Sequence, residues 1–304
     1  MAHRLLYIIL FSLLPFCGYG QVYDTISRFN QPITMDSFVV KSGFNTKTFI
    51  KKVQNDTTFF KAFKSLHFVP YKAINNISAY DKKGQRSAAL YSITHQVIDK
   101  NCRITKVDVE NTSGDFYDRH GEYNYYTAAL YAFLFFAKEP ICNESDIVEG
   151  SLKQCGKGKM EKSKYELKQL IFNPGSKVSG VPFMGDRASV FDDEEAVKYD
   201  FKISIESHDG QDCYVFRILP KQGYEHKVLY NEMTTWFRRS DYSIIARDYS
   251  LSYHTLVYDF DVKMKVRTRQ VGGKLLPYKI DYDGNWHVFM KNRERVKFTC
   301  DIEY

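Results

Sequence analysis

The chain lacks most signatures that would announce a chemistry. No two histidines stand at HxxxH or HxH spacing, so no zinc site is signalled. There is no CxxC, which removes a zinc knuckle and a thioredoxin-like redox pair. There is no GxSxG nucleophile elbow. The stretch Gly156–Lys159 has neither the glycine spacing nor the Ser or Thr of a phosphate-binding loop. Beyond the first twenty residues no apolar run approaches the twenty or so residues of a membrane span. The net charge of +7 is spread along the chain rather than gathered into a stripe, so no nucleic-acid partner is expected. A dispersed basic surface leaves room for weak attraction to an anionic membrane or polysaccharide, a peripheral association with the envelope.

What is present begins with an address. Residues 1–21 read MAHRLLYIILFSLLPFCGYGQ. His3 and Arg4 start it, a mostly apolar run follows from Leu5 to Phe16, and Gly18 and Gly20 precede Gln21 at minus three and minus one. That is the pattern of a secretory signal, with an apolar core too short to span a bilayer. Lipid attachment at Cys17 is disfavoured by bulky Phe16 before it, so the cysteine is expected to leave with the signal. The reading divides the chain into a signal peptide, 1–20, and one β-rich domain, 21–304. About 284 residues are enough for one sizeable core. The protein is expected to be exported, either periplasmic or associated with the cell surface.

Five cysteines remain: Cys102, Cys142, Cys155, Cys213 and Cys300. An oxidising compartment permits disulfides, and the odd number leaves at least one unpaired. Cys142 and Cys155 flank a polar segment and are the expected pair. Cys213 and Cys300 lie in strand-like runs, where a buried free thiol is an equal reading.

The 23 Tyr and 23 Phe suit a sheet protein with large half-buried side chains. Ser37–Lys41 is a short strand candidate. In Thr46–Phe68 the apolar positions Phe49, Ile50, Val53, Phe59, Phe60 and Phe63 recur largely at three- and four-residue intervals. This predicts an amphipathic helix, or two with a break at NDTT, ended by Pro70. Strands are expected at Tyr71–Asp81, Arg86–Ile98 and Arg103–Glu110. Tyr125–Lys138 reads as a buried helix and Met160–Phe172 as another. These elements make an N-terminal part, 37–172. From Tyr199 to Tyr304 about eight strand-like runs follow, separated by HDGQ, KQGYE, RSDY, VGG and YDGN. The fold class is therefore α+β, mostly β: a large curved antiparallel meander, half-open and barrel-like, with a few helices packed against it.

Candidate chemistry gathers in one place. Asp115, Asp118, His120 and Glu122 crowd the glycine-bearing segment GDFYDRHGEY and are the candidate general acids and bases. The acidic run Asp192–Glu195 could hold a hard cation, yet it lacks the alternation of a calcium loop, and no metal or other cofactor is implied. A curved sheet backed by helices makes an apolar hollow. Phe201, Tyr214, Phe216, Trp236, Tyr258 and Phe260 are the candidates to line it for an acyl chain or another apolar ligand.

Three segments carry a resemblance: SFVVKSGFNTKTFIKKVQNDTTFFKAFKSLHF, GDFYDRHGEYNYYTAALYAFLFF and NEMTTWFRRSDYSIIARDYSLSY. They resemble uncharacterised exported proteins of Bacteroidetes. More loosely, a helix followed by a long meander is similar to periplasmic carriers of outer-membrane lipoproteins. That second resemblance implies a half-open barrel closed by helices over an apolar cavity. Three functions stay open: non-catalytic binding of a lipid-like or apolar ligand, an envelope hydrolase centred near Asp118 and His120, and a structural or partner-binding envelope protein.

Overall fold

The computed structural model describes residues 29, 31–36, 44–135, 139–144, 170–176, 186–255, 258–288 and 292–304. The expected signal, residues 1–20, the strand candidate Ser37–Lys41 and most of the helix candidate Met160–Phe172 lie outside them. Only the last turn of that helix, from Leu170 to Phe172, is described.

Twelve strands form one open, curved sheet in the order β1-β6-β7-β8-β9-β10-β11-β12-β2-β3-β4-β5. The strands are β1 (Ile33–Met35), β2 (Tyr71–Tyr80), β3 (Arg86–Asp99), β4 (Cys102–Gly114), β5 (Ile141–Cys142) and β6 (Tyr199–His208). They continue as β7 (Gln211–Pro220), β8 (Tyr230–Arg238), β9 (Ile244–His254), β10 (Tyr258–Val271), β11 (Lys274–Val288) and β12 (Glu294–Glu303). All neighbours are antiparallel except β1 and β6, so the sheet is mixed by that one short strand. The expected α+β class, dominated by a meander, is what the chain adopts. The meander β6–β12 then continues into the early strands: β12 pairs with β2 from Val296↔Ala79 to Glu303↔Lys72.

Alternation explains which face is covered. In β2 every odd position from Tyr71 to Ala79 is buried while Lys72 and Asn76 are exposed. Helices α1 (Thr46–Gln54), α2 (Thr58–Ser65) and α3 (Tyr126–Phe135) all pack on that inner face. The break predicted at NDTT is real, and its residues serve as caps. The Asn45 side chain accepts from Thr48 N at 3.0 Å to start α1. Asp56 Oδ1 accepts from Thr58 N at 3.1 Å and from its hydroxyl at 2.6 Å to start α2. Phe49 of α1 meets Phe216 and Phe237 edge-on, and Phe59 of α2 meets Tyr249. Helix α3 is apolar, as its alanine and aromatic content predicts, and Tyr131 packs 4.2 Å from Phe298. Its N-terminus is held from β12: Glu294 accepts from the backbone N–H groups of Tyr126 and Thr127.

Two expectations are corrected. YDGN is no turn. KLLPYKIDYDG and WHVFMK join in the single strand β11, so seven strands rather than eight make the meander. Gly284 sits inside the sheet, opposite both Val262 and Val296, and the Tyr282 ring lies over it, hydrogen-bonded by Trp286 Nε1. Aromatic cover of a sheet glycine lets the strand run through a sequence that otherwise spells a turn. Next, the disulfide joins Cys142 to Cys102, not to Cys155. The register decides this, because β5 lies antiparallel on β4 with Cys102 opposite Cys142. The acidic run opens a four-residue helix, α4 (Asp193–Ala196), in which buried Glu195 is ion-paired with Lys198. Cys213 and Cys300 are free and buried.

Beyond Arg103 the outer edge of β4 has no partner strand among the described residues. It carries Lys106, Asp108 and Glu110 and a register shift opposite Ile93/Thr94, features that discourage edge-to-edge pairing.

Candidate functional site

The sequence-derived candidates fall into three different environments. Asp115, Asp118, His120 and Glu122 are all exposed, on a small hairpin closed by the Tyr117↔Tyr123 bridge. Each described contact there is architectural. Asp118 Oδ1 accepts from the backbone N–H groups of His120 and Glu122, holding the turn. Asp115 accepts from the Tyr125 hydroxyl, and His120 Nε2 accepts from Arg119 Nε at 3.0 Å. No described cleft encloses these side chains.

The aromatic candidates do not share one hollow. Phe201, Phe216 and Phe260 are fully buried, and Tyr214 nearly so. They pack on the chain's own rings: Phe201 and Phe216 on Phe191, Tyr214 on Phe44, Phe260 on Trp286. Trp236 lies on the opposite face of the sheet, against Cys213, Val215 and Ala246, with the His208 ring tilted beside it. Tyr258 belongs to β10, and its side chain lies outside the described residues. The inner face is therefore largely filled by side chains of the helices.

Space remains at one end, where α1 and α2 meet the β8–β9 and β10–β11 turns. A groove of about 440 Å³ opens there, within the size range of small-ligand sites. Its apolar surface comes from Phe49 and Val53 of α1, Ala62 of α2, Phe237 of β8, Tyr242 of the turn and Leu275 of β11. Lys52, Lys61 and Lys274 stand around it, with Asp56 and Asp241.

Local chemistry builds each wall. The β10–β11 connection is Gly272-Gly273, with φ of 54° and 77°, the backbone a two-residue hairpin of this hand demands. This tight turn sets Lys274 and Leu275 at the groove. The β8–β9 turn holds Tyr242 at φ 57°, a left-handed conformation uncommon for an aromatic residue. Asp241 fastens that turn, accepting from Ser243 N at 2.9 Å and Ser243 Oγ at 2.8 Å, with Arg238 on its other oxygen at 3.3 Å. Burial opposes ionisation of Asp241, but these donors outweigh it and hold the carboxyl below its ordinary value. Tyr242 then stacks on Tyr214, and Lys52 Nζ sits 5.0 Å from its ring centre.

Behind the groove lies Arg247, buried on the inner face of β9. Its guanidinium covers the Phe59 ring at 4.4 Å and donates through Nε to Thr235 Oγ1 at 3.0 Å. Burial lowers its pKa, and the charge of nearby Asp56 offsets part of that.

A second hollow of about 640 Å³ lies at the other end of β8–β10, near His226, His254, Glu225, Asp261 and Arg187. It is mostly polar. His254 is held between carboxylates, with Nδ1 2.7 Å from Asp259 and Nε2 3.6 Å from Asp261. Among the described residues no three His, Cys, Asp or Glu side chains converge to hold a metal ion. No described helix is long and apolar enough to cross a membrane.

No family model matches the chain, and no curated protein does. Among solved structures it is similar to a DUF1329 family protein from Desulfovibrio piger, at 12% identity over 87% of this chain and 91% of that one, with a TM-score of 0.26. It is similar to an outer membrane lipoprotein-sorting protein domain from Vibrio parahaemolyticus, at 12% identity over 79% and 88%, TM-score 0.26. Lipovitellin matches at 9% identity over 77% of this chain but 25% of its own, TM-score 0.27. At these identities and TM-scores the likeness transfers no residue and no activity.

Proposed function

We propose that the protein is an exported, non-catalytic binder of a lipid-like or other apolar ligand, and that the groove between α1–α2 and the strand turns receives it. One observation carries the reading: beside a well-filled core this groove leaves an apolar surface open, with Phe49, Val53, Ala62, Phe237, Tyr242 and Leu275 on its walls. Its two carboxylates fasten a turn and cap a helix, roles that leave no acid–base pair poised for chemistry. The Cys102–Cys142 disulfide supports an oxidising compartment, and the secretory-type pattern of residues 1–21 supports export to the periplasm or cell surface.

The test is native mass spectrometry of the mature protein from its own envelope, with organic extraction of anything bound, beside a Val53→Trp variant. Val53 is half-buried on α1, so an indole there fills the groove without entering the core. The expected result is an apolar molecule near unit stoichiometry on the wild type and none on Val53→Trp. A bare wild-type mass that stays bare after incubation with envelope lipids would overturn the reading. Equal loading of both proteins would move the ligand elsewhere.

A further inference from the structure

The charges around the groove do not cancel, and their imbalance specifies the polar end of the ligand. We infer that the groove takes an amphiphile with an anionic head, the head resting on Lys61 and Lys274 while the apolar body lies against Phe237, Tyr242 and Leu275. The inference rests on the groove being the binding site and adds the chemical class of what enters it.

The carboxylates are committed within the protein. Asp241 spends both oxygens on the β8–β9 turn and Arg238. Asp56 spends Oδ1 on the start of α2, and its Oδ2 is buried without a hydrogen-bond partner. The Asp56 charge also acts on buried Arg247 behind the groove. The three lysines are differently placed. None has an ion-pair partner among the described residues, and all three are exposed. Lys52 is anchored, its Nζ donating to Asp241 O at 3.1 Å above the Tyr242 ring. Lys274 follows the glycine turn, and its Nζ comes within 5.9 Å of the Phe68 ring centre. Lys61 projects from α2 beside Ala62. Two ammonium groups thus flank an apolar surface from opposite elements, α2 and β11, which pack directly on each other. A neutral apolar ligand would use the floor and leave these charges idle; a cationic one would meet the surplus. An anionic amphiphile satisfies both parts at once.

The experiment uses three twelve-carbon probes below their micellar concentrations: dodecyl phosphate, dodecanol and dodecyltrimethylammonium. Each competes with N-phenyl-1-naphthylamine for the mature protein. Dodecyl phosphate is expected to displace the dye about tenfold better than dodecanol at low salt, with the advantage shrinking as ionic strength rises and screening shortens. In the double variant Lys61→Glu/Lys274→Glu its affinity is expected to fall to that of dodecanol or below. Both substitutions are on exposed side chains, and far-UV circular dichroism checks that the fold survives. Equal affinities for phosphate and alcohol, or preference for the trimethylammonium head, would overturn the head-group inference and leave the groove reading standing. Failure of all three probes to displace the dye would overturn both.

Discussion

At the scale of single residues, Glu144 has the most work to do. It lies between Arg103 Nε at 2.6 Å and His67 Nδ1 at 3.0 Å, and the Arg103 side chain is almost wholly buried. Burial disfavours the Glu144 carboxylate, yet hydrogen bonds and charge from His67 and Arg103 prevail and lower its pKa from 4.5 to about 2. His67 shifts down as well, chiefly by burial, so at neutral pH it is a neutral imidazole donating to Glu144, and Arg103 supplies the lasting positive charge. Both folded values lie below the unfolded ones, so both groups stabilise at high pH and lose that contribution as pH falls. His67 begins to cost below about pH 6.5, and Glu144 fades between about 4.5 and 2. Glu144→Gln is expected to lower stability at pH 7 by about 3 kcal/mol and to flatten the acid limb between pH 4.5 and 2. Urea denaturation across that range measures both. Parallel wild-type and variant curves would show that the trio contributes nothing. None of this was legible in the sequence, because the three residues come from separate elements. Tyr242 was equally hidden. RSDY reads as a turn, and nothing local tells that its tyrosine occupies a left-handed backbone position against a groove.

Elements were far more legible than their partners. Apolar periodicity placed α1, α2 and the break between them, and alternation placed β2 and β3 to within a residue or so. The failures came where a neighbour overrules local pattern: Gly284 stays in a strand because Tyr282 covers it, and β4 runs on to Gly114 because β3 offers a partner that far. The disulfide belongs to the same class, since its pairing is set by β4–β5 register across 40 residues of chain. Closing a loop of that length is worth about 4 kcal/mol by the chain-entropy estimate. Cys102→Ser/Cys142→Ser is therefore expected to lose stability of that order, while Cys155→Ser leaves it unchanged. Non-reducing peptide mapping should recover the Cys102–Cys142 peptide pair from the wild type and from Cys155→Ser alike. A Cys142–Cys155 peptide would refute the assignment.

Over the whole molecule, the sheet is held together in its middle by β12. It joins the meander β6–β11 to the early hairpins β2–β4 through β2, and its Glu294 also caps α3. A chain stopped after Asn292 is expected to lose hydrogen-exchange protection throughout β2 and β3, whose amides are shielded in the full sheet. Protection that persisted there would show that the early strands stand without β12. The class of the fold was visible from the long run of strands after Tyr199. The join between its ends was not, since no pattern within β2 or β12 names the other as partner.

That join sets a timetable for the chain as it is made. Of the twelve strands β1–β4 emerge first, yet one neighbour of β2 is β12, the last of the twelve in chain order. Until then β2 presents an open edge, and the early hairpins have half a core. The ribosome therefore delivers the pieces in an order the finished sheet cannot use. A chain built this way gains little from folding during translation and loses little by being handed over unfolded, with assembly deferred until β12 arrives.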